Sequence, residues 1–393
     1  MRAALVIVLC LLAAAQLTPR TWGSPGLLTH TWGSPSGLLT RAPRSPSALP
    51  WQHASPGRAI ALPGDHRSHP EYRLEWWYYT GHLFDARQRR FGYQLTFFRV
   101  GVNPSPPTPS RWAVRDVHMT HLAITDVAGG RHVAAERLNR AGIGWAGASE
   151  RTYRVWNEDW RAGLDGGRHV LVAEAPDAAV NLTLEEGKPA VLHGQAGYSR
   201  KGVSEGNASH YYSLTRMPTS GFVTVGGATH RVAGTSWMDH EFGTTFLERD
   251  QAGWDWFSIQ LDEGSELMLF QLRGRDGSPD PHSSGTLVAA DGAARALTGA
   301  TFTLEAGRPW RSPSTGATYP VEWRVRVPRE RIDLTVRAAI DAQELSGLAS
   351  GVAYWEGAVD VEGTGYGRPA RGRGYLEMTG YAGRPMGEVM APP

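Results

Sequence analysis

The chain has 393 residues, with 40 Lys and Arg against 38 Asp and Glu for a formal charge of +2, and it is 41% hydrophobic and 20% charged. These are ordinary values for a globular protein long enough to hold two domains with cores of their own. With no basic run and no Lys/Arg stripe, they exclude a nucleic-acid partner held by phosphate neutralisation.

In chain order, "MRAALVIVLCLLAAAQL" reads as a secretory signal: Arg2 is the charged start, an apolar run follows to Leu12, and Ala13, Ala14 and Ala15 form a small-residue cleavage site, giving residues 1–15. The expected location is therefore periplasmic or secreted. The single cysteine, Cys10, lies inside this run, so the mature chain has no thiol chemistry and no disulfide. Residues 16–60 are rich in Pro, Ser and Gly and contain the near-exact tandem "TWGSPGLLTH TWGSPSGLLTR", which reads as a disordered leader.

From residue 72 onward, short aromatic and β-branched runs alternate with Gly, Asp and Pro, which predicts an all-β chain of roughly eighteen strands. A weak internal repeat aligns "WWYYTGHL" (76–83) with "WDWFSIQL" (254–261), so that Trp76 meets Trp254, Tyr78 meets Trp256 and Leu83 meets Leu261. Two copies of one up-and-down unit follow, residues 61–247 and 248–385. Barrels of this size hold one small apolar ligand, or pack tightly with no cavity.

The stretch "GTSWMDHEFGTTF" (234–246) sets Asp239, His240 and Glu241 side by side. On a strand, Asp239 and Glu241 share one face with Trp237, while His240 points the other way with Met238 and Phe242. Carboxylates at i and i+2, roughly 7 Å apart, raise one another's pKa, and a nearby Trp adds desolvation in the same direction. The three are catalytic candidates, with a purely structural junction as the alternative.

Pocket candidates come from three other strands. "EWWYYTGH" puts Trp76, Tyr78, Thr80 and His82 on one face and Glu75, Trp77 and Tyr79 on the other; "HYYSLTR" puts His210, Tyr212 and Arg216 opposite Tyr211 and Ser213. Trp76, Tyr78, Tyr211, Tyr212, Arg216 and Trp237 are the expected ligand-binding residues, with His118 and His121 of "HMTH" beside them. Histidines three apart fall on opposite faces of a strand, and no H-E-x-x-H or Cys pair exists, so no metal and no other cofactor is expected. A G-x-S-x-G elbow and a phosphate loop are also absent.

The strings "LEWWYYTGHL", "HLAITD", "YYSLTRM", "GTSWMDHEFG", "GWDWFSIQLDEGSELMLFQLR" and "AYWEGAVDVEGTGYGRPARGRGYLEMTGY" together resemble the family of carotenoid 1,2-hydratase and its AttH-like relatives, from about residue 72 to 383. The resemblance implies two tandem lipocalin-like β-barrels packed together in an exported bacterial protein. It also implies an apolar ligand and, in the hydratase branch, cofactor-free addition of water to a C=C bond. Asp239 and His240 match that family's Asp-His pair and Trp237 its preceding Trp. Phe242 stands where the family commonly has Trp, and "ELMLFQLR" lacks the Tyr and acid expected of the hydratase branch, so the chain resembles the AttH-like branch more closely.

The expected function is binding of an apolar lipid or isoprenoid, with acid-catalysed hydration or hydrolysis. A non-catalytic lipid carrier or chaperone of the cell envelope, working with an envelope transport system, is the alternative. A glycosidase using Asp239 and Glu241 also fits their spacing. Oligomeric state is left open.

Overall fold

The computed structural model describes residues 51–106, 110 and 112–390. The signal segment, Cys10 and the tandem repeat lie outside the described residues. Among the described residues two large antiparallel sheets make up the fold, together with one small two-stranded ribbon, 3₁₀ turns and one short C-terminal helix, Met386–Met390.

The first sheet contains β1 (Leu74–Asp85), β2 (Arg90–Gly101), β3 (Asp116–Asp126), β4 (Arg131–Arg140), β5 (Ala146–Ala148), β6 (Arg154–Asn157), β7 (Trp160–Asp165), β8 (Arg168–Ala175), β9 (Ala178–Leu184), β10 (Val191–Leu192), β11 (Tyr198–Arg200), β12 (Ala208–Val225) and β13 (Ala228–Thr245). Its order runs β4-β3-β2-β1-β13-β12-β9-β8-β7-β6-β5, and β4 comes back against β5 and β6, so the sheet is a nearly closed barrel.

The second chain segment supplies β14 (Gln251–Leu261), β15 (Glu266–Gly274), β16 (Ser284–Val288), β17 (Ala294–Thr298), β18 (Thr303–Ala306), β19 (Pro309–Arg311), β20 (Thr318–Pro320), β21 (Glu322–Val327), β22 (Ile332–Ala338), β23 (Glu344–Leu345), β24 (Tyr354–Gly365) and β25 (Arg368–Met378). Apart from the β19-β20 ribbon these form a half-barrel in the order β17-β16-β15-β14-β25-β24-β22-β21-β18. The expected pair of tandem barrels is thus present, the second one open. Among the described residues there are 25 strands rather than eighteen; eight of them are only two to four residues long and too short to leave an alternation in the sequence.

The internal repeat has a topological counterpart. β1 and β14 each open their sheet and pair on one side with the next strand and on the other with the last, β13 and β25 respectively. Alternation then gives each of these central strands two buried faces. One face of β1 and β13 carries Trp77, Tyr79 and Met238 into the first barrel's core, and Phe257, Ile259 and Leu261 of β14 enter the second core. The other faces meet between the sheets, where Tyr78, Tyr211 and Trp237 pack with Trp256, Met268, Phe270 and Tyr375.

Close approach of the sheets requires glycine at position 92, because a Cβ there would stand 2.6 Å from the Tyr375 hydroxyl and 2.8 Å from Ala358 Cβ. Polar ties reinforce the contact: His82 Nε2 lies 2.8 Å from Gly374 O, and Lys188 Nζ 2.9 Å from Glu266 of β15.

Residues 51–60, placed with the leader above, pack on the first sheet instead. Gln52 N–H donates to Glu71 O at 2.9 Å, Ile60 joins the barrel core, and Arg58 pairs with Asp65 at 2.8 Å.

Candidate active site

Asp239 projects from β13 into the space between the sheets and is buried. Its neighbours follow from register: Asp239 sits opposite Tyr78 on β1 and Ser213 on β12. Tyr211 Oη donates to Asp239 Oδ2 at 2.6 Å, Trp237 Nε1 donates to Oδ1 at 2.6 Å, and Ser213 Oγ also donates to Oδ1. Burial pushes this carboxyl up to about 7; the three donors pull the other way, and Glu241 adds a smaller upward push. A carboxyl with a pKa near neutrality can both take and give a proton.

Behind Asp239 runs a relay of polar groups. Because Ser213 gives its proton to Asp239, it accepts from His193 Nε2 at 2.6 Å, and His193 Nδ1 lies 2.8 Å from Thr286 Oγ1. Burial depresses the His193 pKa to about 3, so the ring is neutral and carries its one proton on Nε2.

The second sheet contributes two more acids. Glu356 of β24 and Glu377 of β25 face each other as a cross-strand pair. Tyr78 Oη donates to Glu356 Oε1 at 2.8 Å, Trp254 Nε1 donates to Glu377 Oε1 at 3.2 Å, and Glu356 Oε2 is buried without a hydrogen-bond partner. Burial pushes Glu377 up to about 8, against the Trp254 hydrogen bond and helped by the Asp239 charge. Glu356 lies well above the usual carboxylate range, first through burial and then through Glu377. At neutral pH both are neutral acids. Trp256, whose Nε1 donates to Tyr211 Oη at 3.1 Å, closes an aromatic wall beside them.

The candidates read from the sequence separate into two groups. Asp239, Tyr78, Tyr211 and Trp237 come together between the sheets. Trp76 lies at the rim, ring to ring with Phe246 at 4.6 Å, and His121 also faces the second sheet, with Nδ1 2.7 Å from Tyr354 Oη and Nε2 2.9 Å from Glu136. Glu241 shares the Asp239 face but is held by Lys201 Nζ at 2.7 Å and by the Ser209 hydroxyl. That ion pair takes Glu241 out of a two-carboxylate glycosidase arrangement.

His240, Tyr212 and His118 sit on the other side, in the first barrel's interior. His240 Nε2 is 3.0 Å from Glu75 Oε1 and Nδ1 3.0 Å from Tyr212 Oη, so it cannot touch Asp239. His118 lines a separate cleft of about 310 Å³ with Arg99, Arg115 and Asp116. Arg216 departs from the simple alternation. A register irregularity between Leu214 and Met217 turns it toward the second sheet, where its guanidinium bonds Glu266 and, at 2.9 Å, Leu261 O.

Glu356, Glu377 and His193 were not among the sequence candidates. The two glutamates do carry a signal, each being a lone acid inside an apolar run, "YWEGAV" and "YLEMT". His193 sits in a loop and carries none.

Among solved structures, a crystal structure assigned as AttH from Nitrosomonas europaea superposes with a TM-score of 0.77 at 36% identity, covering 84% of this chain and all of that one. Kievitone hydratase from Nectria haematococca has the same fold, with a TM-score of 0.64 at 14% identity over 85% of this chain and 97% of that one. The dehydratase asqC of Emericella nidulans is 24% identical over 211 residues, so the match spans 52% of this chain and 58% of that relative. The sequence pattern of the AttH-like proteins matches residues 53–381, and the chain belongs to the AttH-like family.

Proposed function

We propose that the protein adds water to, or removes it from, an apolar substrate held between the two sheets. The observation that carries this reading is a trio of buried carboxyls, Asp239, Glu356 and Glu377, with raised pKa values in an aromatic surround. In the hydration direction a neutral acid, Glu356 or Glu377, gives its proton to one carbon of a C=C bond. The ring faces of Tyr78, Tyr211 and Trp256 stabilise the resulting cation. Water attacks the other carbon and passes its proton to Asp239, from which it returns to the donor acid. Dehydration is the reverse. A hydratase and a dehydratase among the relatives favour this chemistry over hydrolysis.

An acyclic isoprenoid or another unsaturated lipid is the substrate class that fits, because aromatic and aliphatic side chains line the wall and most of its polar groups are bonded to one another. The test is incubation of the purified chain with a panel of such alkenes in oxygen-18 water, followed by mass spectrometry. One labelled water per product is expected, with turnover reduced at least about 100-fold in Asp239→Asn. Unchanged lipids that stay bound to the protein would instead establish a carrier.

A further inference from the structure

On the opposite face of β13 from Asp239, at the mouth of the first barrel, His66 and His169 converge on Glu186. His66 closes a 3₁₀ turn, Gly64–His66, His169 lies on β8 and Glu186 on the loop after β9. Both imidazoles are buried, and each Nε2 stands 3.4 Å from Glu186 Oε1. That separation is long for a charge-assisted hydrogen bond. It matches two ligands of one tetrahedral metal, which at bond lengths of 2.0–2.2 Å stand about 3.3–3.6 Å apart.

The surrounding hydrogen bonds orient the His66 ring. Glu75 is ionised: burial pulls its pKa up, but Arg99, His240 and His69 together hold it well below the usual range. His240 therefore donates from Nε2 to Glu75, and since burial depresses its pKa to about 4, its Nδ1 is bare. Tyr212 has a single O–H, and it faces two groups that can only accept: His240 Nδ1 at 3.0 Å and Asp65 O at 3.3 Å. The third contact of Tyr212, His66 Nδ1 at 2.6 Å, must then be the donor. His66 Nε2, on the far side of the ring, is buried without a hydrogen-bond partner and stands 3.4 Å from Glu186 Oε1.

His169 is anchored in the same manner, its Nδ1 2.9 Å from Tyr79 Oη, which continues to Tyr153 Oη. Orientation of two ring nitrogens through tyrosines on the far nitrogens is the arrangement that outer groups give to metal-binding histidines.

A neighbouring triad shows the contrast. His69, Glu75 and His240 are equally close, yet His69 Nδ1 lies 2.9 Å from Glu75 and Nε2 3.0 Å from Asp65, and Arg99 Nε sits 3.0 Å from Glu75. Protons and a guanidinium already fill that cluster. In the His66 cluster, among the described residues, no guanidinium pairs with Glu186, and its one hydrogen bond, to His169 Nε2, is long at 3.4 Å.

We propose that His66 Nε2, His169 Nε2 and Glu186 form a binding site for one divalent transition-metal ion, zinc above all. Two imidazoles and a carboxylate suit zinc, and the 40% exposure of the Glu186 side chain leaves the fourth position to water. No spacing rule points to the site, because the three ligands come from three separate segments.

The test is titration of tag-free, chelator-stripped protein with Co(II), followed by visible absorption and by competition with Zn(II). One equivalent should bind with a tetrahedral-type absorption band and raise the melting temperature. Glu186→Gln, whose side chain is partly exposed, should abolish both responses without changing the metal-free melting temperature. Tyr79→Phe should weaken binding about 10- to 100-fold by freeing the His169 ring. Absence of binding at about 0.1 mM free metal, or equal binding by Glu186→Gln, overturns the site and leaves a purely structural His–Glu cluster in its place.

Discussion

The two faces of β13 hold the same residue types in opposite electrostatic states. Toward the second sheet, Asp239, Glu356 and Glu377 have tyrosine, serine and tryptophan donors but no cation in contact, and their pKa values rise. Toward the barrel interior, Glu75 is also fully buried, yet it touches Arg99, His69 and His240, and its pKa falls. His69 follows in the opposite sense: burial lowers its pKa, but Asp65 and Glu75 raise it further. Burial alone therefore does not set the charge of a carboxyl here. A counter-cation within hydrogen-bond reach decides it, and one strand separates a face built to keep protons mobile from a face built to fix charge.

The most severe break of this contrast is Glu75→Ala. It leaves Arg99, 2% exposed, and a protonated His69 without their shared carboxylate, and it should cost about 3–5 kcal/mol in urea unfolding. Glu356→Gln replaces a group that is already neutral and should stay within about 1.5 kcal/mol at neutral pH. Equal losses in the two variants would show that both faces carry ionised carboxylates.

The pH dependence of Asp239→Asn sharpens the comparison. Asp239 has a pKa of about 7 in the folded chain and about 3.9 unfolded, so between these values the native state holds a proton that the unfolded state has lost. Its contribution is fully present below about pH 4 and is lost as pH rises through about 7, on the order of 4 kcal/mol in total. Asn carries no such dependence. The melting temperature of Asp239→Asn relative to the parent should therefore climb between about pH 5 and about pH 8, and a flat difference would mean that Asp239 is already ionised at pH 5.

Much of this arrangement is legible in the alternation of single strands. The split of 235–242 into Asp239 and Glu241 on one face and His240 and Phe242 on the other follows from the period of two, as does that of Glu75, Trp77 and Tyr79 against Tyr78 and His82. Adjacency in sequence is what misleads for His240, which a strand turns away from Asp239. Arg216 is misplaced because the irregularity after Leu214 breaks the count, and a bulge of this kind leaves no mark in composition. Glu356 and Glu377 stand in strings that carry the family resemblance, but their pairing depends on the register of the β24-β25 hairpin. His169 and Glu186 are neighbours through the register of the β8-β9 hairpin, where His169 pairs with Leu184, but His66 reaches them from a turn before β1, a tertiary contact that no sequence spacing announces.

The gentlest probe removes one hydroxyl from each face. Tyr212→Phe deletes the bridge between His66 Nδ1 and His240 Nδ1, leaving two buried ring nitrogens without their partner, and should cost about 2–3 kcal/mol. Tyr78→Phe deletes a single donor to Glu356 Oε1, an acid that already tolerates a buried Oε2 with no partner. Its cost should be about 1 kcal/mol in the same urea experiment. Removing that hydroxyl also takes away one of the groups that lowers the Glu356 pKa, so the acid becomes still harder to ionise. A Tyr78→Phe loss larger than that of Tyr212→Phe would mean that Glu356 carries a negative charge in the folded protein, and the distinction between the two faces of β13 would fall with it.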